Sequence, residues 1–86
     1  MPRISAFYGI TIEMYYGDHP PPHFHARYGG EAAKVAIRSG LIVAGHLPVP
    51  VLRLVRKWVD DHRTELEENW ERVANDEKPK PVEPLK

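Results

Sequence analysis

The sequence predicts an α+β domain, a four-stranded antiparallel β-meander backed by a long or bent C-terminal helix over about 49–75. Three observations predict it. Apolar and polar residues alternate with period two from Ile10 to Arg38, between turns rich in Gly and Pro. An apolar stripe of helical period runs from Val51 to Val73. Folding the chain at Gly29-Gly30 sets apolar residues opposite apolar ones and polar opposite polar.

The elements follow in order. Ile4–Phe7 reads as a short extended segment, and Tyr8-Gly9 as a turn or bulge. The first strand lies near 10–16, with Ile10, Ile12, Met14 and Tyr16 on one face and Thr11, Glu13 and Tyr15 on the other. Gly17–Pro22 is a loop whose three consecutive prolines lack backbone donors. The second strand is near 23–28 and the third near 31–38, joined by Gly29-Gly30. A two-residue turn there sets Tyr28 opposite Glu31, Ala26 opposite Ala33, His25 opposite Lys34 and Phe24 opposite Val35. The first hairpin agrees with Glu13 opposite His25 or Arg27. Ser39-Gly40 turns into a fourth strand near 41–45.

Leu47–Pro50 opens the helix, where an early proline is tolerated. Its stripe is Val51, Val55, Trp58, Val59, His62, Leu66, Trp70 and Val73. A continuous helix would be about 37 Å long at ~1.5 Å per residue, long for so small a sheet. One helix and a pair bent near Asp60–Arg63 are both expectations here. Residues 1–75 form the single domain, and 76–86 are a Pro-rich charged tail, flexible or an extended arm laid on a neighbour.

Composition bounds function. At 86 residues there is room for one small core and no cofactor domain. The 12 basic and 12 acidic residues balance, which argues against nucleic-acid binding by bulk charge. With no cysteine, disulfides, thiolate metal sites and thiol catalysis are excluded. Without a leader or a long apolar run, the expected location is the cytoplasm.

The chemistry concentrates between Tyr16 and Tyr28, which holds three of the five histidines. His23 and His25, two apart on a strand, leave the same face, a spacing that suits two imidazoles on one divalent metal. Asp18 and His19 are the candidates to complete that set, with Glu13 a further donor. Without metal, the same face suits acid–base chemistry on RNA. His23, His25 and Arg27 are then the catalytic candidates, and Tyr15, Lys34 and Arg38 the stacking and phosphate-binding ones. The plain alternative is a polar sheet surface with cross-strand pairs such as Glu13–Arg27. His46 has the parity of the helix-facing side and reads as a core or capping residue. His62 reads as a partly buried histidine, and Trp58 and Trp70 as core.

The opening Pro2–Ile10, then Met14-Tyr15-Tyr16 and Asp18–His25, resemble the bacterial family of domain of unknown function 4160. Leu47-Pro48, Val55–Trp58, His62-Arg63 and Glu68-Asn69-Trp70 also fit its pattern, so the resemblance covers about residues 2–75. It brings no catalytic position. Members resemble toxin–antitoxin components in size and are often encoded beside a second small domain, which implies a protein partner. The leading expectation is a component of a two-gene, toxin–antitoxin-like module acting through a partner encoded by a neighbouring gene, with RNA as a further target. The alternatives are a metal-binding protein or enzyme using the His23/His25 cluster, and a purely structural interaction domain. No organic cofactor is expected, a homodimer through an edge strand or the tail is a further partner, and whether the chain is an enzyme is left open.

Overall fold

The computed structural model describes residues 2–86. Its sheet has five strands in a simple meander, β1 (Arg3–Phe7), β2 (Ile10–Glu13), β3 (His23–Tyr28), β4 (Glu31–Ala36) and β5 (Ile42–Gly45), each antiparallel to the next. One helix follows, α1 (Val49–Ala74). The α+β class and the C-terminal helix are as expected; the strand count of four is corrected to five.

The additional strand is the segment Arg3–Phe7. It pairs with β2 through a two-residue turn in which Tyr8 has φ 51° and Gly9 φ 79°. Two successive positive φ values are what a tight hairpin needs, and they usually select Asn-Gly or Gly-Gly. Tyrosine at the first position conceals that signal. β2 is shorter than expected, ending at Glu13, although Met14 still donates its N–H to the Pro2 carbonyl at 3.1 Å. Similarly β4 ends at Ala36 and not at Arg38. Gly40 N–H turns back to the Ala36 carbonyl at 2.8 Å, and Ile37 N–H leaves the ladder for the Pro22 carbonyl at 3.1 Å.

The central register matches the alternation argument. Phe24 faces Val35, His25 faces Lys34, Ala26 faces Ala33 and Tyr28 faces Glu31. In the preceding hairpin Glu13 faces His25. Ile10, Ile12, Phe24, Ala26, Ala33 and Val35 therefore share one buried face. α1 covers it with Val51, Val55, Trp58, Val59 and Leu66. Trp58 is the centre of this layer, its ring 5.3 Å from that of Phe7 and edge-on to Phe24 at 5.7 Å.

α1 is one span containing a single non-helical residue, His62 (φ −129°, ψ 21°), so the bend falls inside the expected Asp60–Arg63 window. Beside it Arg63 Nε donates to the Ile37 carbonyl at 3.0 Å, tying the helix to the end of β4. The helix closes in a Schellman turn. Glu77 N–H bonds the Arg72 carbonyl at 2.7 Å and Asp76 N–H the Val73 carbonyl at 3.2 Å, with Asp76 at φ 59° in the place glycine usually takes.

The chain then runs back along its own domain. Pro79, Val82 and Leu85 are buried, and Val82 N–H donates to the Ile4 carbonyl at 2.7 Å. Ile4 is available because β1 bulges between Arg3 and Ser5, freeing its carbonyl from the β2 ladder. His46 is exposed, contrary to its expected helix-facing role. Gly45 at φ 83° turns the strand out of extended geometry just before it, so strand parity does not carry through. Among the described residues no helix is long and apolar enough to cross a membrane.

Candidate metal centre

Asp18, His23 and His25 converge at the end of the sheet where the proline loop meets β3. Each offers one ligand atom, and these atoms lie within 4.8 Å of one another. Asp18 Oδ2 is 2.9 Å from His25 Nε2 and 3.3 Å from His23 Nε2. Bonds of about 2.0–2.1 Å at tetrahedral angles place ligand atoms about 3.3 Å apart, so the set has the span of a metal site.

The local sequence explains the convergence. The strand gives His23 and His25 the same side. The turn at Gly17 (φ 76°) and the proline run that follows it bring Asp18 back over them. Trp70, from the distal half of α1, closes the far side with its ring 5.3 Å from His23. His23 is consequently buried (5% exposed), although its parity is that of the sheet's polar face.

His23 has an unusual bonding problem. Its Nδ1 is 2.8 Å from the Pro21 carbonyl. A carbonyl only accepts, so Nδ1 carries the proton, and in the neutral ring Nε2 is a bare lone pair. That Nε2 is buried and, despite its 3.3 Å approach to Asp18, lacks hydrogen-bond geometry. Two acceptors face each other unless a cation stands between them or the ring takes a second proton. An Nδ1–H bound to a backbone carbonyl, with Nε2 left as the free ligand atom, is the arrangement that orients a ligating imidazole.

A second layer holds His25. The Tyr15 ring is stacked on it, centroids 3.9 Å apart and planes 13° from parallel. Tyr15 Oη donates to Glu13 Oε1 at 3.3 Å, and Arg27 Nε donates to the same oxygen at 3.0 Å. Hydrogen bonds to Tyr15 and Glu13 raise the Arg27 guanidinium above its ordinary value. Asp18 also borders a cleft of about 160 Å³ lined by Tyr15, Gly17, Trp70, Val73 and Asp76.

The other candidate residues are dispersed. His19 is exposed and outside the cluster. Lys34 is exposed beside His25 in the register. Arg38 lies in a separate cleft with Pro22, Trp70, Glu67 and Glu71. Trp70 was expected only as core; its place on the helical stripe does not reveal that it also backs a histidine.

Fold and site together define a small α+β domain carrying a compact His–His–Asp cluster. The chain belongs to the DUF4160 family, described as a domain of unknown function, whose family model matches residues 9–71. No curated protein and no solved structure matches it.

Proposed function

We propose that this protein is a divalent-metal-binding domain with Asp18, His23 and His25 as its ligands. The observation that carries the reading is the buried His23 Nε2, oriented by the Pro21 carbonyl and left without a hydrogen-bond partner. A buried unpartnered polar atom costs roughly 1–3 kcal/mol, and a cation bound to all three groups removes that cost. Two imidazoles and one carboxylate suit a first-row divalent ion such as zinc or iron(II). Three protein ligands leave room for water beside the Asp18 cleft, the pattern of a site that does chemistry rather than one closed for structure alone.

The toxin–antitoxin-like role and its protein partner rest on the family resemblance. For RNA the support is weaker than for metal, because Arg27 is engaged by Glu13 and Arg38 sits beside two glutamates. The deciding experiment is a cobalt(II) titration of chelator-treated protein. One equivalent is expected to bind with the intense visible absorption of a low-coordinate nitrogen/oxygen site. His23→Ala and His25→Ala are expected to abolish it, and His19→Ala to leave it unchanged. Equal binding by wild type and the His23→Ala/His25→Ala double variant would overturn the reading.

A further inference from the structure

Residues 79–85 lie against the domain as a bound peptide lies in its receptor. Their buried side chains are Pro79, Val82 and Leu85. The spacing of three is the repeat of a polyproline II helix. Four main-chain atoms of the segment are held. Asn69 Nδ2 donates to the Lys80 carbonyl at 2.8 Å, and Asn69 Oδ1 accepts from Lys80 N–H, also at 2.8 Å. Trp58 Nε1 donates to the Glu83 carbonyl at 2.8 Å, and the Ile4 carbonyl accepts from Val82 N–H at 2.7 Å.

Prolines sit where this scheme asks for no donor. Both N–H groups taken belong to Lys80 and Val82, while Pro81 and Pro84 are exposed. An indole N–H to a ligand carbonyl, with apolar residues seated at every third position, is how aromatic grooves read Pro-rich segments. Asn69 is itself fully buried (1% exposed) in an otherwise apolar stripe. Its amide holds both the N–H and the carbonyl of Lys80, and its Oδ1 also accepts from Arg72 Nη1 at 2.8 Å. Lys80 also borders a cleft that it shares with Glu65, Glu68 and Arg72. The link from α1 to the segment, 75–78, is exposed throughout.

We propose that the groove formed by Trp58, Asn69 and the Ile4 carbonyl is a peptide-binding site for extended, proline-containing segments with apolar side chains at every third residue, and that residues 78–86 of a second copy can fill it in place of the chain's own. The second copy is the occupant because its tail reproduces every contact by identity, so exchange costs no interaction. The chain's own tail holds the groove at low protein concentration, since a short tether gives it an effective concentration in the millimolar range.

The test uses the full chain carrying Val82→Asp and Leu85→Asp, which empties the groove, titrated with a fluorescent peptide of residues 77–86. Saturable binding is expected, weakened at least tenfold when Asn69→Ala is added and lost for a peptide bearing the same two aspartates. A folded double variant, by circular dichroism, that ignores the wild-type peptide overturns the proposal. Hydrogen exchange on the wild type gives a reading independent of that variant's folding. Lys80 and Val82 amides that open well before those of Val55 and Leu66 support a releasable ligand. Amides that open only with the whole domain overturn it.

Discussion

The imidazole of His25 lies flat on the phenol of Tyr15, 3.9 Å between centroids, while its Nε2 meets Asp18 at 2.9 Å. One neighbour fixes the plane of the ring and the other the direction of its nitrogen. Groups behind a metal ligand typically contribute 10–100-fold to affinity by holding it in place. Tyr15→Ala is therefore expected to weaken cobalt(II) or zinc binding about tenfold. Tyr15→Phe keeps the stack and loses only the bonds to Glu13 and Arg27, so it is expected to stay within about threefold of wild type. Isothermal titration of the two variants checks this. Equal losses would place the effect in the hydroxyl.

A metal held by the folded state alone stabilises it. At a hundredfold excess over the dissociation constant the gain is about 2.7 kcal/mol, or roughly 10–20 °C in melting temperature for a domain this small. The shift is expected to vanish with a chelator and in His23→Ala, as read by a thermal melt. Binding competes with protons on the imidazoles, so the shift is expected to shrink as the solution is acidified.

Gly45 and Gly40 separate space from conformation. Both have positive φ, 83° and 72°. A Cβ on Gly45 would lie 2.3 Å from the Ala32 carbonyl oxygen, whereas on Gly40 it would meet Arg56 at an ordinary 3.6 Å. Gly40→Ala is expected to cost about 1 kcal/mol, the left-handed penalty alone. Gly45→Ala is expected to cost at least about 2 kcal/mol, because strain of 1–3 kcal/mol is joined by a backbone collision. Urea unfolding measures both, and similar losses would contradict the distinction.

Asp76 offers the opposite sign. It stands at the left-handed position of the Schellman turn with φ 59°. Asp76→Gly is expected to stabilise the domain by about 0.5 kcal/mol, the relieved strain exceeding the added chain entropy. The same denaturation curves would show it.

The sheet was legible where the pattern was redundant. Alternation on two strands and a Gly-Gly turn each specify the same pairing of Phe24 with Val35, so an error in one would have shown against the other. β1 was not legible as a strand because the residue that turns it, Tyr8, is not one that usually accepts φ 51°. The shared side of His23 and His25 followed from period two. The return of Asp18 over them did not, since it depends on how the Gly17–Pro22 loop folds, and no periodicity governs a loop. Asn69 carried a signal that was missed. It is polar yet falls on the helical stripe between Leu66 and Val73, which asks for a polar partner from elsewhere in the chain. That partner, Lys80, belongs to a tail whose Pro79, Val82 and Leu85 already show a period of three.

The two margins of the sheet are not equivalent. β1 is overlaid by the chain's own tail through Val82, whereas Ile42–Gly45 forms the outer strand with no charge and no proline. Unprotected margins of that kind recruit further strands. A unit with one free margin terminates after a single addition, because two such margins consume each other. A β5–β5 pair of two copies would therefore be self-limiting while the tail stays seated, and unseating the tail would supply the second margin that a propagating assembly needs.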